Sequence, residues 1–226
     1  MTFSDLRNLV WYMVDDSQGI STGTGGYFTN TQVNVFLNNA QREVQKQLLQ
    51  AGEMYYLKTV ETTTVANQQD YVLPSDFLKL HRLEYVLDGS TAITEVTKML
   101  QRLTLNQSDL FSLKVGTPAA YTIKKNRLSL YPIPDTANKT VRLYYSYRVA
   151  DMSANSDEPD CPSEFAEYIA ILAAESCMIK DDRQSAQLME KKAAYLALFK
   201  QMAEDRAEDS SREVLTTYDD FYSEIY

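Results

Sequence analysis

GTPAAYTIKKNRLSLYPIPD (residues 116–135) reads as a pair of antiparallel strands between breakers. YTIKK (121–125) and RLSLYP (127–132) alternate residues for a core with residues for water, Leu and Tyr inward and Arg and Ser outward. That period of two marks a sheet with one covered face. Pro132-Ile133-Pro134-Asp135 ends the second strand, because proline brings no ladder donor. TVRLYYSYRV (140–149) repeats the alternation and predicts a third strand.

The same period extends upstream. YYLKTVETTTVA (55–66), DYVLP (70–74) and KLHRLEYVLDG (79–89) predict strands, with a turn at Asn67-Gln68-Gln69 and a hairpin turn at Gly89. Pro74-Ser75-Asp76-Phe77 predicts a single helical turn. Residues 94–113 fit neither period well, and a short helix near 96–104 is expected.

Outside this block the period becomes helical. Residues 3–16 predict a helix capped by Ser4, with Phe3, Leu6, Val10, Met13 and Val14 on one face. After SQGISTGTGGYF (17–28), a second helix starts at Thr29 or Asn30 and stops at Gly52. Its apolar set is Val33, Phe36, Leu37, Ala40, Val44 and Leu48; its outer face carries Asn34, Asn38, Gln41, Arg42, Gln45 and Lys46. Beyond the acidic loop ADMSANSDEPD (150–160), a helix over 163–181 is expected with Ser163 as cap and Phe165, Ile169, Leu172, Ala173 and Ile179 inward. A further helix over 183–206 presents Leu188, Met189, Tyr195, Leu196, Phe199 and Met202. The expected fold class is α+β. N- and C-terminal helix pairs form a four-helix bundle around an inserted antiparallel β-sandwich-like domain, because neither pair can bury its stripe alone. The expected divisions are 1–54, 55–150, 151–206 and an extended tail, 207–226.

Composition narrows the function. Net charge is −9, which argues against a protein that grips nucleic-acid phosphates. Sixteen Tyr against one Trp suit surfaces that are wet at one time and buried at another. Cys161 and Cys177 form neither a disulfide framework nor a metal spacing and read as reduced thiols of a protein made in the cytoplasm. MTFSDLRNLVWYMVDDSQG lacks the pattern of a signal peptide, and no apolar run reaches the length of a membrane span.

Four segments carry a resemblance. YFTNTQVNVFLNNAQREV opens a helix with an aromatic and a Thr cap, and LPSDFLKLHRLEY (73–85) follows it. Next come GTPAAYTIKKNRLSLYPIPD and then the acidic loop running into CPSEFAEYI. This collinear series, over about 27–205, resembles the larger bacteriophage head-to-tail adaptor (connector) proteins, as in short-tailed and crAss-like phages. The resemblance implies a structural virion protein at the head-to-tail junction, assembled in the host cytoplasm. It implies a homo-oligomeric ring, most often a dodecamer, that docks on the portal protein and carries tail or nozzle proteins. Double-stranded DNA would pass through passively, without specific binding. The alternatives are a tail-completion or tail-tube protein and, further off, an enzyme or terminase accessory factor.

No catalytic, cofactor-binding or metal-ligating residue is expected. His81 is the lone histidine, and no Gly-x-Ser-x-Gly elbow accompanies it. One His and two distant Cys do not make a zinc site. Gly23-Thr24-Gly25-Gly26 lacks the Gly-Lys-Ser/Thr of a P-loop. Asp157, Glu158 and Asp160 lack the spacing and glycine of a calcium loop. The tail TTYDDFYSEIY (216–226) alternates aromatic and acidic residues and is too short for a core of its own. With the resemblance, it becomes the expected portal-docking element: Tyr218, Phe221, Tyr222, Ile225 and Tyr226 fill pockets while the acids meet basic residues.

Overall fold

The computed structural model describes residues 1–15, 28–51, 54–88, 96–104, 107, 114–181 and 185–202. Helix α1 (Phe3–Val14) starts at Thr2, not at the expected Ser4. Thr2 Oγ1 accepts from Asp5 N at 3.2 Å, and the Asp5 carboxylate accepts from Thr2 N at 2.9 Å. That reciprocal cap satisfies two first-turn donors. Two more go to the acidic loop: Phe3 N donates to Asp157 O and Ser4 N to Asn155 O. Phe3, Leu6, Val10, Trp11 and Val14 are buried, so Trp11 joins the expected face.

Helix α2 (Asn30–Gln50) starts at Thr29 with the same kind of reciprocal cap to Gln32. Val33, Leu37, Ala40, Val44 and Leu48 are buried as their period predicts. The expected outer face is corrected: Gln41 and Gln45 are buried as well. Their amides hydrogen-bond the chain after the last strand. Gln41 Nε2 donates to Ala150 O at 2.8 Å, and Val149 N donates to Gln45 Oε1 at 3.3 Å. Asn38 brackets Met152 through both its main-chain groups, and Arg42 pairs with Asp151. Buried amides persist because each finds a backbone partner.

A 3₁₀ turn (Ser163–Phe165) leads into α3 (Ala166–Lys180), with no side-chain cap where Ser163 was expected. The expected single buried face is also corrected. Tyr168, Ile169, Ala170, Ile171, Leu172, Ala173, Ala174 and Cys177 are all buried, while Ile179 is exposed. A helix apolar over most of its circumference sits inside, and small alanines let neighbours approach closely. Both α1 and α2 pack on it. Helix α4 occupies 186–202, with Leu188 N donating to Ser185 Oγ at its start. Gly52, Gly89 and the tail 207–226 lie outside the described residues.

The chain divides into two compact units, Met1–Tyr55 with Val149–Tyr226, and Tyr56–Arg148. The second is built of strands: β1 (Leu57–Thr63), β2 (Asp70–Val72), β3 (Phe77–Asp88), β4 (Val96–Met99), β5 (Gln101–Arg102), β6 (Val115–Gly116), β7 (Ala120–Lys124), β8 (Arg127–Tyr131), β9 (Ile133–Pro134) and β10 (Thr140–Tyr147). The fold is therefore α+β, with four helices among the described residues. One sheet runs β1-β10-β3-β4 and another β2-β8-β7-β5; β6 pairs with β9. Most pairings are antiparallel, but β5–β7 and β6–β9 are parallel. Leu83, Tyr85, Val141, Leu143 and Tyr145 of the first sheet share a core with Tyr71, Tyr121, Leu128 and Leu130 of the second.

The helix expected near 96–104 is absent. Val96–Met99 pairs with β3, Gln101–Arg102 pairs with β7, and Leu100 between them is buried. Two strand edges in need of partners outweigh a weak local helical preference. Residues 74–77 form a turn closed by Phe77 N to Pro74 O, not a helical turn. Ser129 and Ser146, expected outward, are buried; Ser129 Oγ meets the Asp70 carboxylate, and Ser146 Oγ lies 2.6 Å from His81 Nε2.

Asp76, in that turn, ties three strands together. It pairs with Lys58 Nζ of β1 at 2.7 Å and accepts from Tyr145 Oη of β10 at 2.9 Å. Its main-chain oxygen accepts from Arg148 N at 2.7 Å. The hydrogen bond from Lys58 holds the Asp76 carboxyl below the usual carboxylate range. A depressed folded value stabilises the fold above the unfolded value of about 3.9, and that stability is lost as pH falls through the folded value. Asp76→Asn is expected to cost about 1 kcal/mol at pH 7, the low end for charged hydrogen bonds because the side chain is partly exposed. Urea midpoints should converge on wild type as pH falls below the unfolded value of about 3.9. A gap that stays constant with pH refutes the ionic role.

Candidate functional site

The residues considered for chemistry do not converge. His81 on β3 meets Ser146 of β10, and burial, then Lys79, lowers its pKa. Asp157 caps its own loop, its carboxylate accepting from Ser153 N at 2.7 Å and Ala154 N at 2.8 Å. Among the described residues no three His, Cys, Asp or Glu side chains are grouped to hold a metal ion. The Gly23–Gly26 segment lies outside the described residues.

The cysteines are inert by placement. Burial pushes the Cys161 thiol up to about 12 and the Cys177 thiol up to about 11. Thiolate is the reactive form. Native protein at about pH 8 is therefore expected to resist a disulfide-exchange reagent such as DTNB, while both thiols react in guanidinium. Rapid stoichiometric labelling of the native protein contradicts this.

The more telling surface lies along α4. One side is anchored to the 3₁₀ turn and α3: Phe199 stacks on Phe165 at 4.7 Å, and Tyr195 stacks on Tyr168 at 4.8 Å. Lys191–Glu167 and Lys192–Glu175 ion pairs flank the rings. The remaining apolar residues are left open. Of the stripe expected to be buried, Met189 and Leu196 are exposed, as are Leu198 and, on α3, Ile179. A cleft of about 160 Å³ lies between α3 and α4, lined by Ile171, Met178, Ile179, Leu188 and Met189. A wider groove of about 550 Å³ separates the end of α2 from α4, lined by Gln47, Ala51, Ala193, Leu196 and Phe199. Contiguous exposed apolar surface of this kind marks an interaction face. It suits assembly.

A model of the SU10 adaptor protein family matches residues 1–217, nearly the whole chain and both compact units. The chain belongs to the SU10 adaptor protein family. No curated protein matches it. SU10 adaptors are structural components of the bacteriophage virion, and that role accords with the surface just described. Among the described residues of this adaptor no helix is long and apolar enough to cross a membrane.

Sequence reasoning placed the functional residues in the tail; Tyr218, Phe221, Tyr222, Ile225 and Tyr226 all lie outside the described residues and beyond the family match. It missed the open flank of α4, since helical spacing alone does not say whether a stripe meets a partner within the chain. It also missed a division of charge. Tyr56–Arg148 carries twelve Lys/Arg and eight Asp/Glu, net +4; the helical unit has ten and twenty-three, net −13. The signal was in the sequence, hidden by summing over the whole chain.

Proposed function

We propose that this adaptor docks on the portal protein as a closed ring, extends the DNA channel and serves as the platform for tail assembly. The observation that carries the reading is the family match across both units. A ring of twelve would match the portal's symmetry, each subunit touching two neighbours through many modest contacts. The open apolar flank of α4 is the natural surface for such contacts. We read the four helices as a bundle and the two four-stranded sheets as a sandwich inserted in it. The domain limits are those expected from sequence: 1–54 and 151–206 for the bundle, 55–150 for the insert and 207–226 for the tail. In the tail, Tyr218, Phe221, Tyr222, Ile225 and Tyr226 fill pockets on the portal. Duplex DNA passes without sequence-specific binding, and assembly takes place in the host cytoplasm.

Electron cryo-microscopy of the protein mixed with its phage's portal ring tests this reading. The expected result is a closed ring stacked on the portal, with the C-terminal residues ordered against portal subunits. No association with the portal, but binding to tail proteins, would move the function to a tail-completion protein.

A further inference from the structure

We propose that the tip of the β7–β8 hairpin is a contact site for the phosphate backbone of duplex nucleic acid. The tip is Lys124-Lys125-Asn126-Arg127, and all four residues are exposed. The net positive charge of this unit is not evenly spread. On the first sheet, Lys58 is neutralised by Asp76, Arg82 by Glu84, and Arg142 by Glu61 and Glu84. Lys124, Lys125 and Arg127 have no such ion pair among the described residues.

Two features of the tip run against stability. Lys124 and Arg127 are direct cross-strand partners. Their Cβ atoms therefore lie about 5 Å apart, where like charges repel. Lys125 has φ 55°, a backbone region that favours glycine or asparagine in a two-residue hairpin loop. Three cations thus occupy positions where neutral residues and glycine or asparagine would fold better. A dense anion laid across the tip removes the repulsion. Duplex DNA fits that need best, with one negative charge per about 1.7 Å of axis. The tail's acids, six over 207–226, are spaced out along the sequence and match three clustered cations less well. Backbone contact by three cations is weak and independent of sequence, which suits a duplex that slides. The proposal does not depend on portal docking.

The test is fluorescence anisotropy of the full chain with a labelled duplex of about 20 base pairs, titrated with salt. The comparison is a variant combining Lys124→Gln, Lys125→Asn and Arg127→Gln. Wild type is expected to bind with a dissociation constant on the order of 10⁻⁴ M and a log–log salt slope of about −2.7, the value for three phosphates. AT-rich and GC-rich duplexes should bind alike. The variant should lose at least about tenfold in affinity and most of the slope, with a melting temperature equal to or above wild type. Retained binding in the variant overturns the proposal. So does absence of binding by wild type at about 50 mM salt. So does capture of a synthetic 208–226 peptide by the tip in place of the duplex. A melting temperature that falls in the variant would give the cations a structural role and also count against it.

Discussion

Trp11→Ala is expected to lower the stability of the helical unit by about 3–5 kcal/mol, the range for removing a buried indole from a packed core. Trp11 is 1 % exposed on α1, which packs on α2 and on the largely buried α3. The helix it packs on, α3, is rich in small residues, Ala170, Ala173 and Ala174 being buried. Alanines have no longer rotamers with which to fill a cavity, so the site collapses poorly. With total stability for a domain near 5–15 kcal/mol, the loss is a large fraction of what holds the unit together. Circular dichroism at the helical band in urea reads it without needing tryptophan emission. Trp11→Phe should avoid much of the loss, since it keeps a ring in the site. A cost below about 1 kcal/mol for the alanine variant would mean that α1 is peripheral to the core.

The parts legible in the sequence were those decided locally. The alternation in residues 121–131 gave β7 and β8, and Thr29 with Gln32 gave the start of α2. Residues 96–102 were misread because their partners, β3 and β7, lie elsewhere in the chain. Gln41 and Gln45 were misread because the backbone that satisfies them is more than 100 residues away. Ile179 and Met189 show the opposite error: spacing marked them as core, yet nothing in the chain's described residues covers them. For an assembly protein that exposure is informative, since a stripe of this kind is completed by a partner. The functional class came from the order of segments, a long-range pattern that no single residue carries. The proposed docking residues of the tail rest on the resemblance and on their chemistry, because the family match ends at 217.

Deleting residues 208–226 is expected to weaken portal binding at least 100-fold while leaving the melting of the folded units unchanged. The segment holds five large apolar side chains, Tyr218, Phe221, Tyr222, Ile225 and Tyr226, of which four are aromatic. Buried aromatic anchors at an interface are worth about 2–4 kcal/mol each when they dominate binding. Association itself carries an entropic cost, so two or three such anchors leave a modest affinity per subunit. Repetition around the proposed ring would convert that affinity into a stable complex, and for the same reason its removal from every subunit would be severe. Single changes should sort by chemistry. Phe221→Ala and Tyr222→Ala should speed dissociation, whereas Asp219→Asn and Asp220→Asn should slow association and flatten its salt dependence. If the truncated chain binds portal rings as tightly as the full chain, docking belongs to the folded units. The exposed residues of α4, Met189 and Leu196 foremost, then become the surface to mutate. If binding is lost and the melting temperature also drops, the tail contributes to the fold. Only loss of binding with the fold intact assigns the segment to the portal.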